Sequence, residues 1–73
     1  MIKNGLDSFW TRVQEEMFLQ DIQVKHLAKH TRIHESTIIK GIKRNSTPSA
    51  DIAVRIAKFL NVSVEYLTFG ARY

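Results

Sequence analysis

Apolar residues recur along this chain at spacings of three and four rather than in alternation, so the pattern predicts short amphipathic helices and no strands. A first helix begins after Asp7 or Ser8, either of which can cap it. Its inner stripe is Leu6, Phe9/Trp10, Val13 and Met17, with Phe18, Leu19 and Ile22 closing the corner beyond it. A second helix covers roughly Gln23 to His30, turning Val24, Leu27 and Ala28 inward and Lys25, His26 and Lys29 outward. A third runs from about Glu35 to Ile42. It buries Ile38 and Ile42 and leaves Glu35, Ser36, Ile39 and Lys40 pointing elsewhere.

Around Thr47-Pro48-Ser49 the helical pattern restarts, either with Thr47 as cap and Pro48 in the first turn, or with Ser49 as cap and Asp51 near the helix start. Ile52, Ala53, Ile56, Ala57 and Leu60 form the inner stripe of this fourth helix, and Asn61 is suited to a left-handed stop. Ser63 caps a last short helix with Val64 and Leu67 inward, ended by Gly70. The expectation is one all-α domain spanning 1–73. With 73 residues, no Cys and three Gly, helix packing alone must hold it together.

Charge then separates one third of the chain from the rest. Between Gln23 and Ser46 stand six Lys/Arg (Lys25, Lys29, Arg32, Lys40, Lys43 and Arg44) against Glu35, whereas the remainder holds five basic and six acidic residues; the formal charge of +4 therefore arises in that third. Cations gathered on a helical hairpin at about 23–42 are the electrostatic footprint of a phosphate-backbone binder. No apolar run approaches the ~18 residues of a membrane span, and no signal-peptide core is visible. We expect a cytoplasmic protein with no membrane partner.

The stretch Val24-Lys25-His26-Leu27-Ala28, then Ile33, Ser36-Thr37-Ile38, Pro48-Ser49 and Ile56-Ala57-Lys58-Phe59-Leu60-Asn61-Val62-Ser63-Val64-Glu65-Tyr66-Leu67 resembles the Cro/CI-type (XRE) helix-turn-helix family. The resemblance covers about Phe9 to Gly70. It implies a compact five-helix, lambda-repressor-like domain that binds operator DNA, usually as a dimer, with the third helix as the reader. The chain departs from the family pattern at Arg32, where a turn glycine is usual; at Val24, where a phosphate-contacting Gln is common; and at Thr31 and Gly41, which fill usually apolar sites and suggest a looser hairpin.

Glu35, Ser36, Ile39 and Lys40 match the family's groove-facing positions, with Thr37 at the edge. A glutamate can accept from a cytosine amino group, a lysine can donate to guanine, and an outward isoleucine can pack on a thymine methyl. The alternative for Glu35 is a purely electrostatic role at the helix N-terminus. Lys43, Arg44, Asn45 and Ser46 follow the reading helix in a polar loop suited to phosphates, and Gln23 and Lys25 would hold the other side of the groove.

His26, His30 and His34 are spaced four apart, but the turn breaks the helix that would align them. With no Cys, a metal site is not expected. No nucleophile–base–orienter set is visible, so neither an enzyme nor a cofactor nor a small-molecule substrate is expected. Trp10, Phe9 and Phe59 read as core rather than as a stacking platform for single strands. Tyr66, Phe69 and Tyr73 exceed the needs of so small a core and are candidates for a homodimer contact, the alternative being that they cap the core of a monomer.

The function expected is a sequence-specific double-stranded-DNA-binding regulator, a phage- or prophage-type repressor on a pseudo-palindromic operator. The rivals are a protein-interaction module of a larger regulator and an autoregulating antitoxin.

Overall fold

The computed structural model describes residues 9–70, which form five helices: α1 (Phe9–Gln20), α2 (Val24–Thr31), α3 (Glu35–Arg44), α4 (Ala50–Leu60) and α5 (Val64–Phe69). No strand occurs among the described residues. Asp7, Ser8 and Leu6 lie outside them, so the expected cap of the first helix does too. The core is shared by all five helices. Val13, Leu27, Ile38, Ile56, Leu60 and Leu67 are all but inaccessible, and each such aliphatic side chain contributes about 1.5–3 kcal/mol by leaving water.

Three helices end in the same way, and none of them uses glycine. Asp21, Arg32 and Asn61 adopt left-handed backbone at φ 58°, 60° and 61°. The next residue, Ile22, Ile33 or Val62, then donates its amide to the carbonyl of Met17, Ala28 or Ala57 at 2.8, 3.2 and 3.1 Å. This is the Schellman closure, in which an apolar residue just beyond the turn folds back onto the core; Ile33 is buried, and Ile22 and Val62 pack against the core. The last helix does use a glycine, Gly70, at φ 78°.

The restart after Pro48 is settled in favour of Ser49, whose hydroxyl accepts from the Ile52 amide at 3.3 Å with Asp51 in the first turn. Ser63 caps α5 by accepting from the Tyr66 amide at 2.9 Å. Both serines thereby satisfy one of the amides that a helix start leaves open.

Four expectations are corrected. Phe18 and Leu19 do not close the corner after α1; they are 85% and 71% exposed, and Ile22 alone turns inward. In that last turn Glu16 and Met17 are the buried residues, and Gln20, itself exposed, donates its amide nitrogen to Glu16 Oε1 at 3.1 Å and to the Leu60 carbonyl at 2.9 Å. A polar pair ties α1 to α4 where an apolar one was expected.

The hairpin is also not loose. Gly41 is buried because the Trp10 indole occupies the space a side chain would need, and Thr31 is buried with its hydroxyl donating to the Leu27 carbonyl at 2.6 Å. Ile42, expected inside with Ile38, is half-buried at the edge of the core. Finally, α3 runs two residues beyond Ile42, so Lys43 and Arg44 sit in its last turn rather than in a loop, and left-handed Asn45 ends it.

Candidate nucleic-acid interface

The hairpin is set by the turn between α2 and α3. Leu27 and Ala28 of α2 and Ile33 of the turn are buried, and Ile38 anchors α3 from the other side with no exposed surface. Arg32 supplies the left-handed residue at which the chain reverses. With α3 pinned through Ile38 and Gly41, its opposite face must look outward.

That face carries all five candidate base readers. Glu35, Ser36, Thr37, Ile39 and Lys40 are exposed, including Ile39 at 40%, a large apolar side chain that no core contact holds. Lys43 and Arg44 add two exposed cations at the C-terminal end of the same helix, where they also suit the negative end of its dipole. Asn45 and Ser46 are exposed just beyond. Gln23 is exposed at the N-cap of α2, and Lys25 lies in that helix's first turn.

A second feature distinguishes the hairpin from the rest of the fold. The N-caps of α2 and α3, Gln23 and His34, make no side-chain capping bond, whereas Ser49 and Ser63 cap α4 and α5. Opening amides without a side-chain acceptor, at the positive end of a helix, are suited to a phosphate oxygen.

Between α2 and the start of α3 lies an open cleft of about 430 Å³ lined by Lys25, Ala28, Lys29, Arg32, Ile33, His34 and Glu35. It brings two of the expected site residues, Lys25 and Glu35, to one concavity. It also adds Lys29, Arg32 and His34, which sequence reasoning left out of the site; the i, i+4 spacing of Lys25 and Lys29 was the available signal.

His26, His30 and His34 are all exposed, and no group of three or more potential metal ligands occurs among the described residues. Trp10 and Phe9 are buried in edge-to-face contact at 5.2 Å, while Phe59 is half-buried and stacked on His30 at 5.1 Å. Of the candidate self-contact residues, Tyr66 is half-buried, Phe69 is 75% exposed and Tyr73 lies outside the described residues.

Residues 21–72 match the bacteriophage CI repressor helix-turn-helix domain. The chain belongs to that family. As a CI repressor helix-turn-helix domain it is a DNA-binding regulatory module, and the matched segment takes in the whole α2–α3 hairpin together with α4 and α5. No curated protein and no solved structure gives a match. In this CI repressor domain α1 precedes the matched segment, yet it supplies Trp10, the side chain that packs against Gly41 of α3. None of the described helices is long and apolar enough to cross a membrane.

Proposed function

We propose that this chain is a sequence-specific transcriptional repressor that binds a pseudo-palindromic operator as a homodimer, inserting α3 into the major groove. The observation that carries this reading is the division of α3 into two faces. Ile38 and Gly41 are locked into the core, while Glu35, Ser36, Ile39 and Lys40 stand clear on the other side with Thr37 at the edge. A rod of this kind presents a carboxylate, hydroxyls, a methyl-rich surface and an ammonium to base edges, each good contact carrying about 1–3 kcal/mol of discrimination.

Register on the duplex comes from groups that read no sequence. Gln23 and Lys25 grip one backbone, and Lys43, Arg44, Asn45 and Ser46 grip the other, assisted by the open amides at the starts of α2 and α3. Two copies would place their reading helices about 34 Å apart, one turn of B-DNA. Tyr66 and Phe69 at the C-terminal end, joined by the exposed Phe18 and Leu19, are the apolar groups available for such a contact.

The test is selection of bound duplexes from a random pool, followed by titration of the recovered site at several salt concentrations. A two-fold symmetric motif and a steep fall of affinity with salt are expected. Equal affinity for every duplex would reject the reading and leave a protein-interaction module in its place.

A further inference from the structure

A second cationic cleft adjoins the α2–α3 turn and shares Arg32 with the first. It measures about 450 Å³ and is lined by His30, Thr31, Arg32, Arg55, Lys58 and Phe59, so its walls come from the end of α2, the turn and α4, with no contribution from α3. Its lining includes three permanent cations and an imidazole, and no carboxylate. The volume falls within the range of small-molecule sites, about 300–1,000 Å³.

The walls are arranged rather than incidental. The His30 ring lies nearly parallel to Phe59, at 12°, which holds the imidazole against α4. Arg55 reaches across the cleft floor, Nη1 donating to the Thr31 carbonyl at 3.4 Å, and Nε donating to Asp51 Oδ1 at 3.1 Å. That ion pair is largely solvated, with the two side chains 45% and 69% exposed, so it only weakly neutralises the guanidinium. Arg32 and Lys58 are exposed.

We propose that this cleft is a binding site for a small phosphate-bearing ligand, held by Arg32, Arg55, Lys58 and the His30 imidazole, and that its occupancy alters DNA affinity through Arg32. The chemistry follows from the lining. Guanidinium forks match the tetrahedral oxygens of a phosphate, an ammonium adds charge, and an imidazole adds a directed donor. The coupling follows from position: Arg32 is the residue whose left-handed backbone sets the angle between α2 and α3, so a ligand that holds its side chain favours one hairpin geometry over others. The binding half is independent of the function proposed above; the coupling half rests on it.

The experiment uses the full chain. Inorganic phosphate and adenosine 5′-monophosphate are titrated separately at constant ionic strength, with chloride as the control, while amide, arginine Nε and histidine ring resonances are followed. Saturable shifts centred on His30, Arg32, Arg55 and Lys58, with Lys43 and Arg44 unmoved, are expected, and Lys58→Ala should weaken binding by about tenfold. Arg32→Gly, which keeps the left-handed turn, provides a second variant with the same expected loss.

Non-saturating shifts, shifts spread evenly over all the cations, or unchanged affinity in both variants would overturn the site. If His30, Arg32, Arg55 and Lys58 respond to a DNA duplex but not to either small phosphate, the site is a DNA-backbone contact and the proposal falls. A duplex titration with and without saturating phosphate then reads the coupling, expected at about fivefold in wild type and lost in Lys58→Ala. Intact phosphate binding with unaltered duplex affinity overturns the coupling alone, and failure to bind any duplex overturns the DNA-binding reading while the phosphate titration still stands.

Discussion

A side chain at Gly41 would collide with Trp10: a β-carbon there falls 2.3 Å from Cε2, 2.5 Å from Cζ2 and 2.7 Å from Nε1 of the indole. The contact joins α1 directly to α3. In a solvent-exposed helix, Gly→Ala would gain about 0.5–1 kcal/mol of backbone entropy. Here overpacking against a buried ring reverses the sign, and Gly41→Ala should destabilise the domain by about 1–3 kcal/mol, measured by urea denaturation. Trp10→Phe removes the atoms in conflict, so Gly41→Ala should cost clearly less in that background. Additive losses in the double-mutant cycle would show that the two residues do not meet.

Arg32 stands in left-handed backbone that costs a non-glycine residue roughly 1–2 kcal/mol. Arg32→Gly should therefore raise stability by up to about 1 kcal/mol, the remainder being offset by glycine's greater freedom in the unfolded chain. Arg32→Ala is the control: it removes the same cation but keeps the strain, so its melting temperature should stay near that of wild type. Equal stabilisation by both variants would trace the effect to charge and not to backbone.

The helices and their ends were legible because the signals are local. Ser63, Asn61 and Gly70 each act within a few residues of where they stand, and the stripes of α2 and α4 are carried by residues three and four apart. Exposure of Glu35, Ser36, Ile39 and Lys40 followed from the phase set by Ile38. What escaped depended on distant partners. Gly41 reads as a poor filler until Trp10 is seen above it. Phe18 and Leu19 read as core until Glu16 is found buried in their place, accepting from Gln20, which also donates to the Leu60 carbonyl. Arg55 and Lys58 lie outside the basic third of the sequence, and only folding brings them beside Arg32.

The two groups of residues on the hairpin should separate in a binding experiment. Ile39→Ala, Lys40→Ala and Glu35→Ala should each change base preference at particular operator positions, by about 1–3 kcal/mol, with little change in the salt slope for Ile39. Lys43→Ala and Arg44→Ala should weaken all duplexes alike and lower the slope of log K against log salt by about 1 each. If Glu35→Ala keeps its base preference and loses only thermal stability, its carboxylate serves the α3 N-terminus and not the operator.

Phe18, Leu19 and Phe69 are large apolar side chains in water, and Phe18 and Leu19 share with Tyr66 a groove of about 650 Å³ whose other walls are Thr11, Gln14 and Glu15. Scattered exposed apolar groups are ordinary on a monomer, but Phe18, Leu19 and Tyr66 line one groove between α1 and α5, a surface of the kind that marks an interface. If it is the self-contact, Phe18→Ser with Leu19→Ser should leave the melting temperature of the dilute monomer within about 4 °C, because neither side chain is buried in the protomer. The same variant should shift sedimentation toward the monomer and reduce affinity for a two-half-site operator while leaving affinity for a single half-site unchanged. Phe69→Ala alone should act in the same direction but more weakly. A dimer undisturbed by all three substitutions would place the two-fold axis elsewhere on the molecule, whereas a monomer that binds one half-site at every concentration would remove the need for an axis at all.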